Sequence, residues 1–168
     1  RMEYRVLGRT GFKVSILATG GCGPGIAPNT EEGVKAFENA VEKGVNMVDV
    51  APSYGDAETR LGQIIRRNRS RLVITEKTLE RTREGAWREL RQTLSRFNVE
   101  SLDVYQFHAV STLEELEKIF SENGAMKAFQ EAREQGLIKY IGITAHSDMR
   151  IVVKALEKFD FDTVLIPV

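Results

Sequence analysis

The sequence predicts an α/β fold, a (β/α)8 or TIM barrel that is incomplete at about six strands and preceded by an N-terminal β-hairpin, and three observations predict it. Short β-type apolar runs alternate with amphipathic helical stretches at a spacing of roughly thirty residues, the pattern of a parallel sheet wrapped by helices. No linker-like composition divides the chain, so residues 1–168 read as a single domain. Polar residues fall at the carboxyl ends of successive runs instead of around one crevice, which favours a barrel over an open doubly wound sheet.

Taken in order, residues 4–7 and 13–16 are two β-type runs around the Gly-bounded turn 8–11, a hairpin. Residues 17–21 are the first barrel strand and lead into 20–25, a loop too rich in glycine to continue it. Helix 30–43 places Val34, Phe37, Ala40 and Val41 on one face and ends at Gly44 as a C-cap. Strand 47–50, helix 57–67 with Leu61, Ile64 and Ile65 on one face, and strand 72–76 follow. Helix 83–97 aligns Ala86, Trp87, Leu90, Leu94 and Phe97, and strand 104–107 comes next. A broken helical region, 113–120 and 125–135, precedes strand 140–144; Asp148 then caps a helix through Phe159, and 163–168 is the sixth strand. Two further βα units are expected beyond Val168, because an apolar strand would otherwise leave an open edge. Arg1 ahead of Met2 reads as an expression remnant.

Composition narrows the function. With 24 basic and 24 acidic residues the formal net charge is zero, which disfavours nucleic acid and anionic membrane surfaces as partners. Cys22 is the one cysteine, so no internal disulfide forms and a reducing, cytoplasmic setting fits. No apolar segment has the length of a membrane span and no charged-then-apolar leader opens the chain, so a soluble protein is expected.

The chemistry lies at the strand ends, where Asp49, Tyr54, Lys77 and His108 converge if the strands are parallel neighbours. A phenol, with an ordinary pKa near ~10, becomes a useful acid when a cation eases its ionisation. Lys77 is that cation, Asp49 pairs with it and holds it, and His108 orients the same substrate oxygen. Singly, each residue has an ordinary structural reading: a turn cap, loop packing, a solvated amine, a satisfied core histidine. Falling in order on adjacent strand ends, together they point to proton chemistry on a polar double bond.

The same residues carry a resemblance. The stretch VNMVDVAPSYGDAETRLG over residues 45–62 resembles the signature of the aldo-keto reductases. RVLGRTGFKVS over 5–15, the Glu76-Lys77 pair, LDVYQFH over 102–108 and GLIKYIGI over 136–143 are similar to that family in order and spacing. The resemblance implies a barrel that reduces a small aldehyde or ketone with a nicotinamide cofactor, NADPH usually and NADH as the alternative. It implies Asp49, Tyr54, Lys77 and His108 as the catalytic four. Where the family often has a Ser-Asn pair after the fifth strand, this chain has Thr144, Ala145 and His146, and where a glutamine is common on the sixth strand it has Leu165. Thr144 is then the remaining hydroxyl for the nicotinamide amide, and His146, with His108, is a candidate substrate contact. Gly21, Cys22 and Asp49 are expected beside the nicotinamide.

Other signals are weaker. The 20–25 loop has neither dinucleotide nor P-loop spacing, and Pro24 lacks an amide donor. The basic run 66–71 reads as a solvated helix end. Two competing functions use the same geography: a metal hydrolase built on Asp49, Glu76, His108 and His146, which would leave Lys77 and Tyr54 idle, and a non-catalytic nucleotide-binding barrel acting as sensor or partner subunit.

Overall fold

A computed structural model describes all of residues 1–168. Strands β1 (Tyr4–Val6) and β2 (Lys13–Ser15) form an antiparallel hairpin through a single 3-10 turn at Gly8–Thr10. The remaining strands form one parallel sheet in sequential order: β3 (Ala18–Gly20), β4 (Met47–Asp49), β5 (Val73–Thr78), β6 (Leu102–Phe107), β7 (Ile138–Thr144) and β8 (Thr163–Leu165). Each crossover is helical: α1 (Cys22–Ile26) and α2 (Thr30–Glu42), α3 (Ala57–Arg67), α4 (Arg83–Phe97), α5 (Leu113–Ile119) with α6 (Ala125–Glu134), and α7 (Met149–Lys158). Sequential parallel order with a helix in every crossover is the barrel's winding, stopped at six strands with β3 and β8 unpaired to one another. No helix is long and apolar enough to cross a membrane.

Capping follows the expected chemistry. Asn29 accepts the N–H groups of Glu31 and Glu32, Thr82 that of Gly85, Thr112 that of Glu115 and Asp148 that of Arg150, each satisfying orphan donors of a first turn. The core fills the layer between sheet and helices, with Phe37, Leu61, Leu90 and Phe97 fully buried and Phe129 of α6 stacked against Phe107 at 3.9 Å between ring centroids.

The 20–25 segment departs from the expected loop. Residues 22–26 are a helical turn, closed by the Gly25 N–H donating to the Gly21 carbonyl at 2.8 Å. The turn is pressed against the loop that carries Tyr54: a Cβ on Gly25 would stand 1.9 Å from the Tyr54 carbonyl oxygen, and the Asp56 N–H donates to the Gly25 carbonyl at 3.1 Å. Glycine is needed at this position because backbone meets backbone there. β5 also runs past the expected end at Glu76, to Thr78, where Lys77 and Thr78 find carboxylate partners in Asp49 and Glu89.

Candidate active site

The register of the sheet decides which side chains meet. Asp49 pairs with Thr75 across β4 and β5, and Lys77 with Gln106 across β5 and β6. Side chains alternate along a strand, so Thr75 and Lys77 share the face that Asp49 presents, while Ile74, Glu76 and Thr78 face the helices. Lys77, 1% exposed, donates through Nζ to Asp49 Oδ2 at 2.6 Å and to the Val50 carbonyl at 3.3 Å. A buried ammonium needs such a counter-charge to remain an ion.

The same Nζ stands 4.8 Å from the centroid of the Tyr54 ring, close enough for cation–π attraction. Tyr54 in turn meets His108 edge-on, with centroids 5.7 Å apart and an interplanar angle of 88°. His108 extends from the end of β6, where its N–H donates to the Thr78 carbonyl at 2.9 Å, and its Nδ1 lies 3.4 Å from the Ser53 hydroxyl. Buried Arg81 donates to the His108 carbonyl and pairs with Glu115 at 2.9 Å, which anchors the backbone behind the ring. Burial first, and the Lys77 charge second, push the imidazole down to about 4, Asp49 opposing the shift. His108 is therefore a neutral ring at ordinary pH. One ammonium, one carboxylate, one phenol and one neutral imidazole thus share the carboxyl ends of β4, β5 and β6.

A family model described as "Aldo/keto reductase family" matches residues 17–168. The chain belongs to the aldo-keto reductase family. The chain is 27% identical to the L-galactose dehydrogenase of Arabidopsis thaliana over 158 residues, 86% of this chain and 49% of that one. The thermostable aldo-keto reductase Tm1743, solved with the inhibitor epalrestat, superposes with a TM-score of 0.82 at 28% identity, over 99% of this chain and 63% of that one. The aldo-keto reductase AKR2E4 of Bombyx mori, solved with NADP, superposes with a TM-score of 0.76 at 21% identity, over 100% of this chain and 59% of that one, a likeness of fold. The chain spans about half the length of the curated relatives it matches.

Within this family fold the other predicted site residues are distributed unevenly. Gly21 is a packing position, since a Cβ there would lie 3.0 Å from Val50 Cγ1 and 3.3 Å from the Ala57 Cβ. Cys22 opens α1 and is exposed. Thr144, buried at the end of β7, accepts the Ala109 N–H at 2.8 Å, tying β7 to the residue after His108. His146 is exposed on the next loop and near enough for its charge to bear on His108.

The metal set Asp49, Glu76, His108 and His146 does not assemble. Glu76 points to the helix side of β5, where its Oε1 accepts the Lys77 N–H at 2.9 Å, and Asp49 is taken by Lys77 and Thr75. Thr75 and Ser53 are the site residues that sequence reasoning missed. For Thr75 the signal was available: it stands two residues before Lys77 on one strand and so shares its face. The largest cavity, about 660 Å³, lies at the opposite end of the strands, over Asp103, whose carboxylate is held by Arg69 and Lys139.

Proposed function

We propose that the protein is an oxidoreductase that reduces an aldehyde or ketone to an alcohol, with Tyr54 as the general acid and NADPH as the cofactor, NADH being the alternative. The observation that carries this reading is the Lys77 ammonium, bound to Asp49 at 2.6 Å and placed 4.8 Å from the Tyr54 ring, which also meets His108 edge to face. Family membership and the NADP bound by the Bombyx mori neighbour support the cofactor class.

The nicotinamide ring would lie at the carboxyl ends of the strands. Gly20 stands opposite Asp49 in the sheet, and the nearest atom to a would-be Cβ there is the Asp49 carbonyl oxygen at 4.0 Å, so there is space beside this strand end. Asp49 and Thr144 would border that ring, with Gly21 and Cys22 contributing the turn beside it. The cofactor, when bound, supplies the hydride that the substrate carbon receives.

The chain's own residues manage the oxygen. Tyr54 delivers its hydroxyl proton to the carbonyl oxygen as the hydride arrives at carbon, leaving a phenolate that solvent reprotonates. The Lys77 cation stabilises the negative charge left on Tyr54, and Asp49 keeps that cation in place. His108, neutral, has one ring proton to donate: in the tautomer that carries it on Nε2, Nδ1 accepts from the Ser53 hydroxyl 3.4 Å away and Nε2–H is left for the substrate oxygen. His146 at the mouth is the candidate outer contact to substrate.

In the full-length protein, Tyr54→Phe is expected to lower kcat with a generic aldehyde and NADPH by about a hundredfold or more, the usual worth of a positioned acid. Cofactor affinity, read by fluorescence titration, stays near wild type. Retained turnover would assign the proton to another group.

A further inference from the structure

We infer that Thr75 is a positioning residue of this site: it holds one oxygen of Asp49 while Lys77, two residues along the same strand, holds the other. The inference rests on the reductase reading of the strand-end site and adds to it a residue that touches neither substrate nor cofactor. The Thr75 hydroxyl donates to Asp49 Oδ1 at 2.7 Å and Lys77 Nζ donates to Oδ2 at 2.6 Å. A hydroxyl has one proton, and its other acceptor, the Val48 carbonyl, is farther at 3.1 Å, so the carboxylate is the better partner.

The geometry explains why two points of contact are needed. The terminal torsion of an aspartate is broad, so a carboxylate gripped through one oxygen can swing. Lys77 has only one further acceptor, the Val50 carbonyl at 3.3 Å, and a swinging partner would let the long amine stem drift from its place beside Tyr54. Thr75 is 2% exposed and directly across from Asp49 in the register, two residues before Lys77 on its strand. Its hydroxyl thus acts through Asp49 on Lys77, and through Lys77 on Tyr54.

The test compares Thr75→Val, which keeps the branched shape and removes the donor, with Thr75→Ser, which keeps the donor and removes the methyl, both in the full-length protein. A hydrogen bond to a charged group is lost in the valine variant, so kcat is expected to fall about tenfold or more while the NADPH dissociation constant is unchanged. The serine variant recovers most of that loss. A second readout needs no turnover: acetylation of Lys77 by acetic anhydride, followed by mass spectrometry, should be several-fold faster in Thr75→Val and near wild type in Thr75→Ser. Wild-type labelling and wild-type kcat in Thr75→Val would overturn the inference, as would a loss that serine fails to recover, since that assigns Thr75 to packing. The reductase reading fails separately, through retained turnover in Tyr54→Phe, and the labelling comparison still decides for or against the grip on Asp49.

Discussion

His108 is held neutral by its surroundings, and that fixes its task as a hydrogen-bond donor with a single proton to place. Burial disfavours the cation, and Lys77, His146 and Arg81 add positive charge around it, with Asp49 as the one opposing influence. The ring is pushed from 6.5 down to about 4, so in an NMR titration its carbon-bound protons should shift near pH 4 and stay flat between pH 6 and 8. An inflection near 6.5 would show that the pocket does not desolvate the ring. The sign for stability follows from the direction. With the folded value below the unfolded one, the histidine's contribution is complete above about pH 6.5 and is lost as pH falls from there towards 4. At this scale the sequence made Asp49, Tyr54, Lys77 and His108 legible, because each closes an apolar run and the runs recur. Ser53 was not, since a hydroxyl on a loop has many ordinary uses, and for Thr75 alternation gives the shared face with Lys77 while only the register shows which acceptor it meets.

β5 joins the two faces of the sheet, and its helix side carries a titratable group that the proposed chemistry does not use. Glu76 is fully buried between sheet and helices, accepts the Lys77 N–H through Oε1 and leaves Oε2 without a partner. Burial, and after it the neighbouring Glu58 carboxylate, hold Glu76 well above the ordinary carboxylate range and so favour its neutral acid form. Glu58 itself is satisfied by Thr93 at 2.5 Å and Arg96 at 2.7 Å. An acid whose folded pKa is raised contributes stability that is full below its unfolded value of about 4.3 and is lost as pH climbs towards the folded value. Glu76→Gln keeps the shape and cannot ionise, so it should be more stable than wild type at pH 8 by about 1–3 kcal/mol and nearly equal at pH 4.5. Urea titrations at the two pH values measure this, and a difference that does not change with pH would show that folding leaves the Glu76 pKa unshifted. The sequence reading ends this strand at Glu76, where its apolar run gives way to Lys77. It continues with Lys77 meeting Asp49 on one face, and Thr78 meeting Glu89 and Glu76 Oε1 meeting the Lys77 N–H on the other. The 22–26 turn was illegible for a similar reason: glycine content marks a break in a strand, whereas the close approach to the Tyr54 backbone that demands glycine is visible only in three dimensions.

For the molecule as a whole, order and winding of the sheet follow from the alternation of runs and helices, and the site sits on β4, β5 and β6, all interior to the sheet. The two open edges carry a different consequence. β3 and β8 each present unpaired backbone, and Ile16, Leu17, Val164, Leu165 and Ile166 around them are exposed apolar side chains. Exposed strand edges flanked by apolar surface are templates for pairing with another chain, and a formal net charge of zero provides no repulsion to prevent it. The 168-residue chain by itself should thus associate as concentration rises, giving a sedimentation coefficient that grows across the micromolar range, and should bind NADPH weakly in a fluorescence titration. A longer chain that adds two βα units between β8 and β3 would pair both edges and cover the same side chains, and in it the species should be closed, concentration-independent in sedimentation and competent to bind the nucleotide. A 168-residue chain that stays monomeric at high concentration and binds NADPH tightly would mean that the curled sheet protects its own edges, and that six strands suffice to build the site.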